Sequence, residues 1–436
     1  MSELMVWIGE RNDKLKVSID RIGLSECDPW FLDKNDGTIR NKSNSFFQIR
    51  GIRQYEDGIK KIEQPIIIQD EIGFLGIITC RIGDTWHYLM QAKIEPGNVN
   101  VVQISPTLQA TKSNFTGKHG GRIPEYLEYF MNMQPKDIIV DQIQSEQSSR
   151  FLKKRNRNVI LRVNEVLKED AAHRWMTLRQ IKDLMQQDNL VNMDTRTVLS
   201  CIPYVLMGQD SDVPFKNKSY FYKTAWSMNR RTIAELYHGI NDHKMLKDTK
   251  TELVRLDGLE RWGFKDKEFV CDEAYPFKVI FCDIAIEGRE VSHWRQPLFA
   301  SNGKATFGLL CCDDNGVMKF LVKLRPEPGC FDSIEIGPTV QKEYTDKSPS
   351  DCVEEFFFNK LSEGGGDVII DRILSEEGGR FYQEENRNVI ILVDKEALSE
   401  LPDGYTWSDY GTLNILTQIN NCLNIQLRNL LSLLEV

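Results

Sequence analysis

His87, Lys93 and Glu95 stand at odd positions of one short run, "HYLMQAKIEPGNVNVVQISPTLQ" (87–109). Side chains along a strand point to opposite faces with period two. His87, Leu89, Gln91, Lys93 and Glu95 therefore share one face, and Tyr88, Met90, Ala92 and Ile94 share the other. An imidazole, an ammonium and a carboxylate on one face could move protons and hold a developing anion. Pro96-Gly97-Asn98 supplies turn chemistry, and Asn98 would lie beside the substrate. After the turn, Gln103, Ser105, Thr107 and Gln109 point one way, and Val102, Ile104, Pro106 and Leu108 the other. The polar set, with Gln91, would hold substrate hydroxyls. The competing reading is a half-buried sheet whose wet side carries an exposed ion-pair ladder worth little to stability.

Three further groups could bind a ligand. Lys153, Lys154, Arg155 and Arg157 form a basic run that could hold a diphosphate through charge-assisted bonds; the alternative is a solvated loop. The stretch "ATKSNFTGKHGGR" (110–122) carries Lys112, Ser113, Asn114 and His119 ahead of Gly120-Gly121. It reads as a backbone-donor loop near substrate or as a turn before a helix. Trp30 offers a stacking surface or a core anchor. The six histidines show no metal-ligand spacing and the ten cysteines no CxxC pair, so no metal or cofactor is expected.

Length and charge bound the rest. The chain has 436 residues, 41% hydrophobic and 27% charged, with net charge −9. Two or three domains are expected. The acidic balance argues against nucleic acid or an anionic membrane as the main partner, and leaves a small anionic ligand in a local basic cluster open. The opening "MSELMVWIGERNDKLKV" lacks a basic segment followed by an apolar run, and no stretch reaches membrane-span length. A soluble cytoplasmic protein with reduced thiols is the expectation.

The chain repeats itself. Gln64-Pro65 recurs as Gln296-Pro297, Glu95-Pro96-Gly97 as Glu327-Pro328-Gly329, and Pro106-Thr107-x-Gln109 as Pro338-Thr339-x-Gln341, each 232 residues on. Gly76 and Cys80 match Gly308 and Cys312, Lys93 matches Arg325, Trp30 matches Trp262, Trp175 matches Trp407, and Arg196 matches Arg428. "SEQSSRFLKKRNRNVI" (145–160) is echoed by "SEEGGRFYQEENRNVI" (375–390). This is a tandem duplication of units of roughly 180 residues, an ordinary domain size. The units span about 22–204 and 254–436, giving a first repeat over 1–204, a connecting segment over 205–253 and a second repeat over 254–436. The connector starts loop-like and reads as helical from Met228 to Met245.

Within the first unit, strands are expected over 45–54, 64–70, 73–82, 85–95, 99–109 and 157–164, with a helix near 122–134. Thr177-x-x-Gln180 ahead of Leu178, Ile181, Leu184 and Met185 predicts a capped helix, and Asp194 would cap the next. Each unit is thus a mixed sheet with flanking helices, an α+β fold.

The copies differ where chemistry would sit. His87 becomes Lys319, Gln91 becomes Lys323, Asn98 becomes Cys330 and Gln103 becomes Glu335. The 110–122 loop becomes "KEYTDKSPSDCVE" (342–354), and the basic "FLKKRNRN" becomes "FYQEENRN". The expectation is one active copy, the first. His87 or Glu95 would be the base or acid there and Lys93 the electrostatic stabiliser, with Arg157 and Lys112 at the diphosphate.

The stretches "FFQIRGIR" (46–53), "QPIII" (64–68), "GFLGIITCR" (73–81), 87–115, "HGG" (119–121), "NMDTRTVLSCIPY" (192–204), "GREVSHWRQPL" (288–298) and "RPEPG" with "PTVQ" (325–341) resemble the NDP-hexose 2,3-dehydratase family. The resemblance covers nearly the whole chain. It implies action on TDP-4-keto-6-deoxy-D-glucose in 2,6-dideoxysugar formation, two Nudix-like domains per subunit, a homodimer, and nucleotide sugar bound at more than one place. Trp262, Arg325, Glu327, Thr339, Gln341 and Arg387 are the second-half candidates for the further ligand site. The acidic metal-binding helix of a working Nudix pyrophosphatase has no match in the sequence. The implied reaction removes the C3 proton alpha to the ketone and expels the C2 hydroxyl. It calls for a base, a stabiliser of the C4 oxygen and an acid. It requires no redox or covalent cofactor, because the ketone already acidifies the proton. The alternatives are a dehydratase of another 4-ketosugar nucleotide and a binding protein without turnover.

Overall fold

The computed structural model describes residues 1–44, 46–111, 123–207, 217–289, 291–364 and 367–434. Among the described residues four mixed sheets, each with one parallel pair, and a set of helices make it α+β. Each half holds a seven-stranded sheet. In the first half its order is Ile138–Ser145, Arg155–Arg162, Gly73–Ile82, Thr85–Ile94, His173–Thr177. Arg155–Arg162 runs parallel to Gly73–Ile82 and the other pairs are antiparallel. The second half repeats this order with Val368–Ser375, Glu385–Leu392, Thr306–Asp313, Met318–Pro326 and Tyr405–Asp409.

The expected single strand over 99–109 is two. Val102–Ser105 pairs with Thr85–Ile94, whereas Leu108–Ala110 pairs with Gly73–Ile82. Pro106 lies between them and has no N–H for a ladder. Thr107 bridges the gap: its Oγ1 accepts from the Ile78 amide at 2.9 Å and donates to the Leu89 carbonyl. Thr339 makes the same pair of bonds to Leu310 and Leu321, which accounts for the repeated Pro-Thr step.

Each half also has a six-stranded sheet, and here the two halves exchange strands. Val17–Ile22 pairs with Phe277–Ile286 of the second half, and Thr249–Val254 pairs with Gln48–Glu56 of the first. The first pairing crosses the boundaries drawn at 204 and 254; the second crosses the one at 204, and its strand Thr249–Val254, 232 residues on from Val17–Ile22, falls almost wholly in the connecting segment as drawn. The connector contributes helices Lys218–Trp226 and Arg230–Leu246, and the second packs on Met318–Pro326 and Tyr405–Asp409. The largest core cluster joins residues of both halves, as does an aromatic cluster holding Trp30, Trp262, Phe151 and Phe381.

The repeated motifs bind across the halves. The Gly97 amide donates to the Gly378 carbonyl at 2.7 Å, and the Gln383 amide donates to the Gly97 carbonyl at 2.9 Å. Reciprocally, Gly329 donates to Ser148 at 2.8 Å and accepts from Lys153 at 2.7 Å. A Cβ on Gly97 would stand 1.5 Å from the Phe381 carbonyl oxygen, and one on Gly329 1.8 Å from that of Phe151. Only glycine admits this approach. Arg196 reaches the Ser375 carbonyl, and Arg428 the Ser145 carbonyl, from the closing helices. Thr177 forms the expected capping box with Gln180. The last helix of the first half, Met193–Ser200, is capped by Asn192, whose side chain accepts from the Thr195 amide at 2.9 Å. Asp194 is therefore not the cap; it lies inside the first turn and faces inward, 2% exposed.

Candidate active site

The expected wet face of the opening hairpin is not wet. Glu95, Asn98, Gln103, Ser105 and Thr107 are all buried, and Leu89 belongs to a small core beneath the helix Leu127–Met131. What solvent reaches is a cavity of about 850 Å³ at the end of the hairpin. Its volume falls in the range of small-molecule sites. Its walls come from both halves. Lys93, Glu95, Gln109, Glu146, Lys154 and Asp194 come from the first, and Arg289, His293, Trp294, Arg295, Glu377 and Arg380 from the second. Trp30 and Phe46, with ring centroids 6.1 Å apart, also line it.

The polar contacts at the inner end are specific. Lys93 Nζ lies 3.5 Å from Glu95 Oε1 and donates to the Gln109 carbonyl at 3.3 Å. Gln109 Nε2 donates to Glu95 Oε1 at 3.1 Å. Its Oε1 accepts from Ser105 Oγ at 3.1 Å and Asn192 Nδ2 at 3.3 Å, which fixes the amide's orientation. Asn156 Nδ2 donates to Glu146 Oε1 at 2.6 Å. Asp194 Oδ1, Glu146 Oε2 and Glu377 Oε2 are buried with no hydrogen-bond partner among the described residues.

Four carboxylates in one wall cannot all stay ionised cheaply. Burial pushes Asp194 well above the usual carboxylate range, with repulsion from Glu146, Glu377 and Glu95 adding to it and Lys93 opposing it. Burial also raises Glu146, against the pull of Lys154. Glu377 is pushed up to about 7, by burial first and by the Glu95 charge second. Burial lowers Lys154 to about 8, although Glu146 opposes the fall. The inner end is thus a store of protons beside an ammonium.

The other expected site residues fall elsewhere. His87 does not line the cavity; its Nδ1 stands 3.1 Å from the Thr85 carbonyl. Six residue steps along the strand separate it from Lys93, roughly 20 Å at about 3.3 Å per residue. Sharing a face does not bring them together. Gln91 is half-buried mid-strand, opposite Ser105 and His173. Asn98 closes its turn by donating to the Lys93 and Val101 carbonyls at 3.3 and 2.9 Å. Gln103 donates to Ser375 Oγ at 2.8 Å across the halves, and Thr107 is the backbone bridge described above. Arg157 is held by Asp141 through two bonds of 2.6 Å and does not line the cavity. Of the basic run, Lys154 does. Lys112, Ser113, Asn114 and His119 lie outside the described residues. Trp30 lines the cavity and donates to the Arg295 carbonyl at 2.8 Å.

At the matching positions of the second half the described side chains are engaged with one another. Glu327 Oε1 accepts from Gln341 at 2.8 Å, and Arg325 donates to the Thr339 carbonyl at 2.8 Å. Arg150, the match of Arg380, lies over the Phe277 ring and pairs with Glu343 at 2.9 Å. Thr111 stands where Glu343 would be, and the carboxylates that act on Arg380 are instead Glu377, Glu95 and Glu71. Tyr275 packs edge-on against Trp262 and donates to Gln64 Oε1 at 2.7 Å. Arg387 is held by Asp371 as Arg157 is by Asp141. None of these six second-half candidates lines the cavity.

Glu146, Asp194, Glu377 and Arg380 were not anticipated as site residues. Asymmetry between the copies carries a signal for three pairs: Asp194 against Gln426, Lys154 against Glu384, and Glu377-Gly378-Gly379 against Gln147-Ser148-Ser149. The last lies in the second copy, where one active first copy gave no reason to look.

The family model described as NDP-hexose 2,3-dehydratase matches residues 1–202 and 233–434. A dTDP-4-dehydro-6-deoxy-alpha-D-glucopyranose 2,3-dehydratase of Saccharopolyspora spinosa is 34% identical over 442 residues, covering 100% of this chain and 91% of its own length. Enzymes of the same name from Streptomyces violaceoruber and Amycolatopsis orientalis are 33% and 34% identical, over 98% and 99% of this chain and 95% and 89% of theirs. With a two-half match of this extent and a cavity built by both halves, the chain belongs to the NDP-hexose 2,3-dehydratase family.

Proposed function

We propose that this protein removes water across C2 and C3 of TDP-4-keto-6-deoxy-D-glucose, giving a 3,4-diketo-2,6-dideoxyhexose nucleotide. The observation that carries the assignment of residues is the Lys93–Glu95 pair, 3.5 Å apart in the wall of a cavity sized for a nucleotide sugar. The sugar enters the inner, carboxylate-lined end. The nucleotide lies toward Trp30 and Phe46, with Arg289, Arg295 and Arg380 as cations for the diphosphate. Glu95 takes the C3 proton. Lys93 holds the charge that gathers on the C4 oxygen, and Gln109 keeps Glu95 aimed. Gln109 and Asn156 offer amides to sugar hydroxyls. Our reading also makes each half Nudix-like, the assembly a homodimer and the enzyme cytoplasmic. Among the described residues no helix is long and apolar enough to cross a membrane.

The test is incubation of chelator-treated protein with TDP-4-keto-6-deoxy-D-glucose, read by mass spectrometry and by proton NMR in deuterated buffer. Loss of one water with C2 deoxygenated supports the assignment. Unchanged substrate that still raises the melting temperature would replace it with a binding protein or a dehydratase of another 4-ketosugar nucleotide.

A further inference from the structure

An elimination also needs a group to protonate the departing hydroxyl, since hydroxide is a poor leaving group. We propose that Glu377, from the second half of the chain, is the general acid that protonates the C2 hydroxyl in the site built around Lys93 and Glu95. The proposal rests on the dehydratase reading above and names a residue that reading leaves open.

The loop bearing Glu377 is held over the site by the two backbone bonds between Gly97 and residues 378 and 383. A Cβ on Gly379 would lie 2.3 Å from Glu377 Oε1 and 3.5 Å from Glu95 Oε1, so the two carboxylates flank one glycine. Their environments differ. Glu95 lies 3.5 Å from the Lys93 ammonium and accepts from the Gln109 amide at 3.1 Å. Glu377 accepts from the Gly379 amide at 2.8 Å through Oε1, while Oε2 is buried without a partner among the described residues. Glu95, Glu146 and Asp194 surround it as negative or potentially negative groups, and Arg380 is the opposing cation. Burial first, and the Glu95 charge second, push it up to about 7 against the pull of Arg380, so a protonated fraction persists at neutral pH. Neighbouring carboxylates, one beside an ammonium and one with a buried oxygen that has no partner among the described residues, are in the unequal settings a base and an acid require. Asp194, 2% exposed with Oδ1 unpartnered, lies deeper in the same wall and maintains the excess of carboxylates over cations. The first-half match of Glu377 is Gln147, an amide with no acidic proton to give, which agrees with one site rather than two.

The step balances. Glu95 accepts the C3 proton and the C–H pair becomes the C3–C4 double bond of an enolate. The enolate collapses to restore the ketone and form the C2–C3 double bond. The C2–O bond breaks, and the hydroxyl leaves as water with the Glu377 proton. Glu95 then holds the proton Glu377 has lost, and transfer between these neighbours resets the site.

The experiment compares wild type, Glu377→Gln and Glu95→Gln with substrate in deuterated buffer, following deuterium entry at C3 and loss of water separately. Wild type does both. Glu95→Gln is expected to lose both. Glu377→Gln is expected to keep exchange at C3 while elimination falls by about 100-fold or more. A 2-deoxy-2-fluoro analogue, whose fluoride departs without protonation, should be turned over by Glu377→Gln at close to the wild-type rate. Glu377→Asp, which keeps an acid, should recover part of the elimination, and a thermal melt checks that each variant is folded. Elimination at the wild-type rate in folded Glu377→Gln, or exchange and fluoride loss falling together with it, overturns the proposal. If wild type neither exchanges nor eliminates, the dehydratase reading fails first and the proposal falls with it.

Discussion

Replacing Gly97 by alanine tests the claim that the two halves build one site. The added Cβ would meet the Phe381 carbonyl oxygen at 1.5 Å, where ordinary contact begins at 3.4 Å. Neither atom can swing aside, because both belong to backbone held in a turn or strand. The turn and the facing loop must separate until the Gly97–Gly378 and Gln383–Gly97 bonds, 2.7 and 2.9 Å, are out of range. Leaving the groups of each bond buried and unpaired costs about 1–3 kcal/mol, so for the two bonds a loss of about 2–6 kcal/mol is expected. Activity should suffer beyond that. Glu95 stands two residues before Gly97, and the displaced loop carries Glu377 and Arg380. A misplacement of about 1 Å at reacting groups can cost on the order of 100-fold in rate. The assay is a thermal melt together with turnover well below the melting range. Gly9→Ala is the control: it sits in the helix Ser2–Lys14 with nothing near its would-be Cβ, and should be neutral or stabilising by up to about 1 kcal/mol. Folded Gly97→Ala with wild-type turnover would refute the reasoning.

Other perturbations separate the two halves and the titrating groups. Lys93→Ala and Glu95→Gln should each lower turnover about tenfold or more, whereas Glu327→Gln, outside the cavity, should do much less; steady-state kinetics on all three decides, and equal losses at 95 and 327 would end the single-site account. If Glu377 must be protonated, its contribution to turnover is full well below about 7 and falls as pH rises through it, and turnover that stays flat from about pH 6 to 8 would contradict the assignment. Stability should also decline with pH: burial holds Glu335 and Glu384 at about 8, so the folded state binds protons that the unfolded chain has released above about 4.5. That contribution is fully present below about 4.5 and lost as pH rises through about 8, and Glu335→Gln, which installs the residue found at Gln103, should flatten melting temperature against pH.

Some of this architecture could be read from the chain alone because its signals are local or periodic. The duplication is an identity of residues at fixed spacing, and it needs no coordinates. The capping box at Thr177 and the helix near Met228–Met245 follow from side-chain chemistry within a few residues. The alternation in 87–95 correctly divided the strand into two faces, and Lys93 with Glu95 does line the cavity. The solvent exposure of a face is not a local property. It depends on what covers the sheet, and here the second half and a short helix cover most of it. His87 shares a face with Glu95 yet lies far along the strand, because periodicity fixes direction and says nothing of which end is closed. Arg157 offered a charge to a diphosphate, but the structure spends it on Asp141 across the adjacent strand, a pairing set by register. Asp194 was legible as a capping residue by type; whether Asn192 or Asp194 caps the helix depends on where the chain turns. That there are two copies, and that they differ, is written in residue identities along the chain. That the copies exchange strands, and that a glutamate of the second stands beside one of the first, comes from the folded molecule. Such contacts join residues hundreds of positions apart, and no periodicity in the chain encodes them.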